Sequence, residues 1–151
     1  MKLETRNFGE INIDEKDIIA FEEGLPGFPE SKRFVLLSEP ENSIAFLQSA
    51  DDGALSFVLV DMVSMAVDYN PHVDVSVIEN LGEYDPDSFL IFNIATIHDD
   101  LSKSTVNLKA PVVINAASKK GKQVVCEEEY SIKSLLFAEE NPDAREGDGA
   151  C

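Results

Sequence analysis

The apolar residues of this chain occur in short runs rich in Val, Ile and Phe, and turn-forming residues separate each run from the next. This pattern is typical of β-strands and not of long amphipathic helices. Strands of this length and number would leave exposed edges in an open, flat sheet. We therefore predict an all-β fold, a compact antiparallel β-barrel-like single domain with one or two short helices. The predicted strands lie within residues 2–13, 18–21, 34–37, 44–49, 46–60, 89–97, 104–115 and 122–126.

Turn residues set the predicted strand connections. Phe8-Gly9 supplies the turn of a hairpin over residues 2–13, and Lys120-Gly121 the turn between the last two strands. Asp51-Asp52-Gly53 lies at the tip of a hairpin over residues 46–60, where Gly53 is expected to adopt a positive φ. Residues 89–97 are apolar on both alternating faces apart from two polar positions, which predicts a central strand covered on both sides.

Two segments show helical spacing. In residues 73–82, Asp74 can cap the start and Gly82 the end, although the Val-x-Val-x-Val opening favours a strand equally. In residues 130–140, an apolar stripe follows Ser131 as a possible cap; its members are Ile132, Leu135 and Leu136. Beyond residue 140 the sequence is acidic and nearly free of apolar residues, so we expect an ordered domain over 1–140 and a disordered tail over 141–151.

The stretch GLPGF, residues 24–28, predicts a rigid reversal of the chain. Pro26 sets φ near −65° at one central position of a type II turn, and Gly27 accepts the positive φ required at the next. Such a turn presents Leu25 and Phe28, which either fold inward onto the core or stand out as anchors for a partner.

The chain carries 29 acidic and 12 basic side chains among 151 residues, which gives a net charge of −17. This negative field disfavours nucleic acid and anionic membranes as direct partners and steers basic proteins toward the surface. Solubility is the alternative role of the charge. No signal peptide or membrane-length apolar run is present in the sequence, so we expect a cytoplasmic protein.

Motifs for catalysis and cofactor binding are weak. His72 and His98 lack metal-ligand spacing, the glycines form no phosphate-binding motif, and Cys126 and Cys151 do not suggest a disulfide framework. His98 with Asp100 could form a general-base pair, but no nucleophile carries a recognisable signature, so a hydrolase is a distant third reading. We expect neither an enzyme nor a cofactor.

The motifs FEEGLPGF, FLQSADDGALSF, DYNP, FNIATI, TVNLKAPVVIN and GKQVV occur in this order along the chain. In series they resemble the bacterial flagellar assembly factor family, FliW, from the first strand to about Tyr130. Two departures keep turn chemistry, namely Pro29 where an acidic residue is expected and Gly53 where Pro is common. The acidic tail has no counterpart in the family pattern.

The resemblance implies a β-barrel-like protein that binds the translational regulator CsrA and relieves its repression of target messages, including the flagellin message. It also implies binding of flagellin itself, which couples flagellin synthesis to flagellum assembly. An alternative is a flagellin-binding chaperone with little effect on CsrA. The predicted partner-binding residues are exposed turns and acidic positions: Leu25, Phe28, Asp51, Asp52, Asp99, Asp100, Glu127, Glu128 and Glu129.

Overall fold

The computed structural model describes residues 2–6, 8–25, 27–38, 44–65, 69–74, 76, 79–82 and 86–136. Its strands are β1 (Lys2–Thr5), β2 (Gly9–Asn12), β3 (Ile19–Ala20), β4 (Arg33–Ser38), β5 (Ile44–Ser49), β6 (Ser56–Val60), β7 (Phe89–Thr96), β8 (Thr105–Val106), β9 (Val112–Asn115), β10 (Lys120–Gln123) and β11 (Ser134–Leu135).

Seven strands close into a barrel in the order β7-β6-β5-β4-β3-β10-β9, because β9 also pairs with β7. The predicted barrel-like, mainly β fold is confirmed. Every pairing in the barrel is antiparallel except that of β3 with β10, where Ala20 pairs with Lys120 in parallel. The β1–β2 hairpin forms a separate two-stranded sheet, and β8 with β11 extends from the second half of β7.

The helical elements are short: α1 (Met62–Met65) and 3-10 turns at Glu15–Asp17, Glu79–Leu81, Pro86–Ser88 and Leu101–Lys103. The helix expected over residues 73–82 falls partly outside the described residues. Within it, the Asp74 carboxylate accepts the backbone N–H of Ser76 at 2.9 Å, and Gly82 has φ 112°. No described helix is long and apolar enough to cross a membrane.

The helix expected over residues 130–140 is wrong where the structure describes it. Ser134–Leu135 forms β11, which pairs with β8, and Leu136 is buried against the outer side of the barrel. The edge of β8 that faces away from β7 forms main-chain hydrogen bonds with this segment. This strand pairing outweighs the helical tendency of a short apolar stripe. Residues 137–140 and the tail 141–151 lie outside the described residues.

Two glycine assignments need correction. Gly53 is at the predicted hairpin tip, but it does not adopt a positive φ. A Cβ there would lie 1.8 Å from the carbonyl oxygen of Glu4, so the β1–β2 hairpin is what requires a glycine. Gly121 lies within β10, where a Cβ would lie 2.4 Å from the ring of Phe21. The turn before β10 instead places Lys119 at φ 58°.

The barrel interior is filled by apolar side chains that alternate along the strands. The fully buried members of this core include Phe21, Phe34, Leu47, Leu59 and Ile114. Outside the barrel, the β1–β2 hairpin covers β4, and α1 with the β8–β11 extension covers β6 and β7. The predicted strand at 89–97 is central because it pairs with three neighbours, but its coverage is incomplete: Leu90 is 36% exposed.

Strand direction gives the barrel two distinct ends. The connections at residues 22–32, 50–55 and 97–104 all lie at one end, which we call the acidic end. The opposite end holds a cavity of about 240 Å³, and we call it the open end. Its lining includes the interior side chains Ile19, Leu36, Leu90 and Ile114 and the rim residues Asp14, Asp17 and Lys119.

Candidate functional site

The acidic end collects most of the residues that the sequence predicts to bind a partner. β3, β5 and β7 run toward this end, so the connections that follow them meet there. The predicted residues that they carry are Leu25, Phe28, Asp51, Asp52, Asp99 and Asp100. Register alone therefore brings three segments separated by tens of residues to one surface.

The GLPGF segment forms the predicted tight reversal. The Phe28 N–H donates to the Leu25 carbonyl at 2.7 Å, and Gly27 has φ 83°. Gly24 has φ 68°, and a Cβ there would lie 2.6 Å from the carbonyl oxygen of Phe28. The two side chains that the turn presents differ in solvent exposure: Leu25 is buried, whereas Phe28 is 42% exposed. Leu25 thus anchors the turn in the hydrophobic core, and Phe28 is the side chain that solvent can reach.

A series of aromatic contacts connects Phe28 to the core. The Phe28 ring packs edge-to-face on Phe57 at 5.7 Å, Phe57 contacts Phe34 at 6.0 Å, and Phe34 contacts Phe21 at 5.4 Å. Phe21 and Phe34 are fully buried. Edge-to-face pairs of this kind add stabilisation beyond area burial. Phe28 is therefore an exposed ring on a rigid support.

The LQSADDG motif is the scaffold of the second connection. The buried Gln48 side-chain amide donates to the carbonyls of Ser49, Asp52 and Leu55 at 3.1–3.2 Å. The Ser49 hydroxyl accepts the N–H groups of Asp51 and Asp52 at 3.1 and 3.0 Å. These hydrogen bonds from the Gln48 and Ser49 side chains hold the main chain of the hairpin tip in place.

The two carboxylates at this tip also have local partners. Asp51 forms an ion pair with Arg33 at 2.7 Å, and Asp52 accepts the N–H of Ala54 at 3.0 Å. Both acids are exposed. Their turn chemistry, which the sequence indicated, is confirmed, and their charge still faces solvent at the acidic end.

The third connection joins β7 to β8 and combines acid with exposed apolar side chains. Asp100 caps the 3-10 turn by accepting the Ser102 hydroxyl at 2.7 Å and its N–H at 3.1 Å, and these bonds lower the pKa of Asp100. Asp99 beside it is exposed. Ile97 and Leu101 in the same connection are 46% and 56% exposed.

Leu135 belongs to the same surface, and sequence reasoning missed it together with Ile97 and Leu101. Leu135 pairs with Thr105 and is 48% exposed, and Thr105 pairs in turn with Thr96 at the end of β7. The helical interpretation of residues 130–140 had placed Leu135 in an apolar stripe. The available signal was Leu101, a single large apolar residue in the polar loop HDDLSK.

The Glu127–Glu129 run belongs to none of the three connections of the acidic end; it follows β10 along the side of the barrel, where the Cys126 N–H bonds to the Lys109 carbonyl. The Glu128 carboxylate accepts the His72 N–H at 2.9 Å and also contacts the His72 ring. These bonds lower the pKa of Glu128 to about 2 and raise that of His72. Glu128 therefore fastens the segment around His72 to the barrel, and we call this pair the flank latch.

The residues considered for catalysis do not form a recognisable centre. His98 and Asp100 are both exposed, and Asp100 serves as a cap. Cys126 is buried, and burial raises the pKa of its thiol, which disfavours the reactive thiolate. Among the described residues, no group of three His, Cys, Asp or Glu side chains is arranged to hold a metal ion.

Comparison with known proteins identifies relatives over nearly the whole chain. The family model for the FliW protein matches residues 2–136. A flagellar assembly factor FliW from Geobacillus kaustophilus is 42% identical over 143 residues, which cover 92% of this chain and 97% of the relative. One from Lachnoclostridium phytofermentans is 36% identical over 156 residues and covers both chains completely. A crystal structure of the flagellar assembly factor FliW superimposes with a TM-score of 0.82 at 39% identity, covering 91% of this chain and 97% of the other.

Proposed function

The chain belongs to the FliW family of flagellar assembly factors, and from this premise we propose that it is a protein-binding regulator. It binds CsrA and relieves the repression of messages such as the flagellin message. It also binds flagellin, so that flagellin synthesis follows flagellum assembly. The observation that carries this proposal is the acidic end, where exposed apolar side chains and carboxylates from three connections form one supported surface.

Charge supports CsrA as a partner. An RNA-binding protein needs a basic surface, and a chain of net charge −17 attracts such a surface at long range. Asp99 and Asp100 supply negative charge beside the exposed Leu101, so a basic surface with apolar side chains is complementary in both respects. The same negative field repels RNA phosphates close to the bound regulator, which favours inhibition.

Exposed apolar surface supports flagellin as a partner. An amphipathic helix of an unassembled subunit needs an apolar surface to cover its exposed face. Phe28 is half-exposed on its aromatic support, and Leu101 and Leu135 are exposed at the same end of the barrel. We assign these side chains to flagellin contact and the neighbouring carboxylates to charge complementarity.

Charge reversal on the immobilised protein tests the CsrA part of the proposal. Asp99→Lys is expected to reduce retention of purified CsrA at least tenfold at low salt, because it places a positive charge in the interface. Glu15→Lys is the matched control, since it makes the same charge change on an exposed acid beside the open end and should have little effect. Wild-type retention should fall steeply as salt rises.

Competition then distinguishes regulation from chaperone activity. Added flagellin should reduce the CsrA retained by the wild-type protein. If flagellin is retained but CsrA fails to bind even at low salt, the chaperone alternative replaces the regulator. If Phe28→Ala leaves flagellin affinity unchanged in a folded protein, the flagellin contact lies elsewhere than at the GLPGF turn.

A further inference from the structure

One edge of strand β10 is only partly paired. On one side β10 pairs with β9 along its whole length, from Lys120 to Gln123. On the other side its single partner is Ala20 of β3, which pairs with Lys120. The Phe21 N–H still donates to the Lys32 carbonyl on the β4 side, and the chain then enters a turn in which the Gly24 N–H donates to the Phe21 carbonyl. The sheet is therefore interrupted beside the rest of β10.

The unpaired main-chain groups form a short window along this edge. The Val124 and Cys126 N–H groups bond on the side of β9, to the carbonyls of Pro111 and Lys109, so the alternate residues Gln123 and Val125 point their N–H groups the other way. Within the described part of the chain, no residue bonds to those two N–H groups. The window ends where the Glu127 N–H donates to the His72 carbonyl.

The length of the window suits a short strand. From Gly121 to Val125 it spans four residue steps, or about 13 Å at the usual rise of a β-strand. It lies between the β3 pairing on one side and the flank latch on the other. A segment of about three or four residues in extended conformation fits between these two limits.

Three further features occur at the window. Val125 is 68% exposed, although an apolar side chain on an unpaired edge is a liability that proteins usually remove. The Gln123 side-chain oxygen is buried without a hydrogen-bond partner within the described residues. A cavity of about 300 Å³ separates β10 from the GLPGF turn, and its lining includes Gly24, Leu25, Lys122 and Gln123.

We propose that an extended segment of a protein partner docks on β10 as an additional strand, between the GLPGF turn and the flank latch. Its main chain pairs with Gln123 and Val125, and an apolar side chain of the segment covers Val125. Main-chain pairing supplies affinity in this mode of recognition, and the pockets beside the strand supply specificity. The proposal rests on the proposed function, because it describes how the partner of the acidic end extends its contact to the adjoining barrel edge.

The negative charge of this protein indicates that the docked segment belongs to another protein and is not acidic. A second copy of this chain would bring another net charge of −17 to an interface of only a few residues. The chain's own terminal segment, residues 139–148, contains five acids, one base, a proline and a glycine, which is poor strand composition. An apolar or basic extended segment avoids the repulsion and has the required strand propensity.

Residue-resolved amide exchange tests the docking mode with purified CsrA and purified flagellin as probes. In the free protein, the Gln123 and Val125 amides should exchange rapidly and the Val124 amide slowly, because of these three only the Val124 N–H donates a hydrogen bond, to the Pro111 carbonyl. Binding of a probe should slow Gln123 and Val125 at least tenfold and leave Val124 unchanged. If a probe binds by calorimetry while both amides stay fast, the docking mode is overturned and the proposed function stands. If neither probe binds, both proposals fail.

A matched pair of variants isolates the main-chain donor. Gln123→Pro removes the outward N–H, and Gln123→Ala removes the same side-chain amide but keeps that N–H. Proline is tolerated on an edge strand where the N–H faces solvent. We expect Gln123→Pro to weaken probe binding at least tenfold relative to Gln123→Ala, with both variants folded by circular dichroism. Equal affinities would overturn the docking mode.

Discussion

The two ends of the barrel differ in how completely side chains fill the interior. At the acidic end, Phe21, Phe34, Phe57 and Phe28 form a series of ring contacts from the core to the surface. At the open end, the interior remains accessible through a cavity of about 240 Å³. The ring series therefore fills the barrel interior at the acidic end, where the cavity of about 300 Å³ lies between the GLPGF turn and β10 and is lined by none of these rings. The cavity at the open end is instead lined by interior side chains.

The difference indicates which end can present a fixed surface. Ring packing and a hydrogen-bonded hairpin hold the exposed side chains of the acidic end in place. The side chains at the open end border empty space, and Leu90 is 36% exposed although it points along the interior face. A protein-binding surface built at the acidic end loses less conformational entropy on binding.

Truncating one large side chain at each end should give the largest contrast. Phe34→Ala removes a fully buried ring that contacts two others, so we expect the free energy of unfolding to fall by about 3–5 kcal/mol. Leu90→Ala removes a side chain that already borders a cavity, and a loss of about 1 kcal/mol is expected. Urea unfolding measures the loss in free energy of unfolding for each variant. Similar losses would mean that the two ends are equally well packed.

Two glycines of the GLPGF turn offer a sharper contrast at the acidic end. Gly24 and Gly27 have φ 68° and 83°, so alanine at either position suffers the left-handed strain of about 1–2 kcal/mol. A Cβ at Gly27 meets open space, whereas one at Gly24 would lie 2.6 Å from two main-chain atoms. Gly24→Ala should therefore destabilise the fold by at least about 1 kcal/mol more than Gly27→Ala, because overpacking adds to the strain. Equal thermal denaturation midpoints for the two variants would contradict this close approach.

The flank latch belongs to neither end and should give the smallest effect, seen in its pH dependence. The raised pKa of His72 means that its contribution to stability is complete below the ordinary value of 6.5 and is lost as pH rises through the raised pKa. The lowered pKa of Glu128 means that its contribution is present above the ordinary value of 4.5 and is lost as pH falls through about 2. The latch is therefore complete between about pH 4.5 and 6.5.

Titration of the His72 ring by NMR measures this coupling directly. Glu128→Gln removes the negative charge and should lower the His72 titration midpoint toward its ordinary value, because the hydrogen bond to Glu128 is the largest cause of the raised pKa. Glu129→Gln changes a neighbouring exposed carboxylate and is the control. An unchanged midpoint in Glu128→Gln would show that the latch does not form in solution.

The sequence predicted the strand class and several turns because these depend on local properties. Residues 44–49 contain a short apolar run bounded by turn-forming residues, and they form β5 with those bounds. Gly27 adopts the positive φ that the GLPGF turn requires. The reasons for Gly53 and Gly121 were not predictable, since each glycine makes room for a segment distant in sequence, namely Glu4 and Phe21.

The candidate site was predictable in its residue types but not in its arrangement. Asp99 and Asp100 are visibly acidic turn residues, and Phe28 is visibly part of a rigid turn. Nothing local indicates that Asp99 and Phe28 share a barrel end while Glu128 lies on the flank, bound to His72. Strand direction and register decide that grouping, and both depend on pairing between distant segments.

By itself, the sequence determined that this chain is a strand-rich, strongly acidic domain with a rigid GLPGF turn and the ordered motifs of the FliW family. The tertiary structure alone decided that Leu25 is buried while Phe28 is half-exposed, that Leu135 belongs to a strand, and that one edge of β10 has no partner beyond Lys120 among the described residues. The physical reason is that strand class and turn type follow from neighbouring residues, whereas burial and edge pairing depend on which distant segments close the barrel.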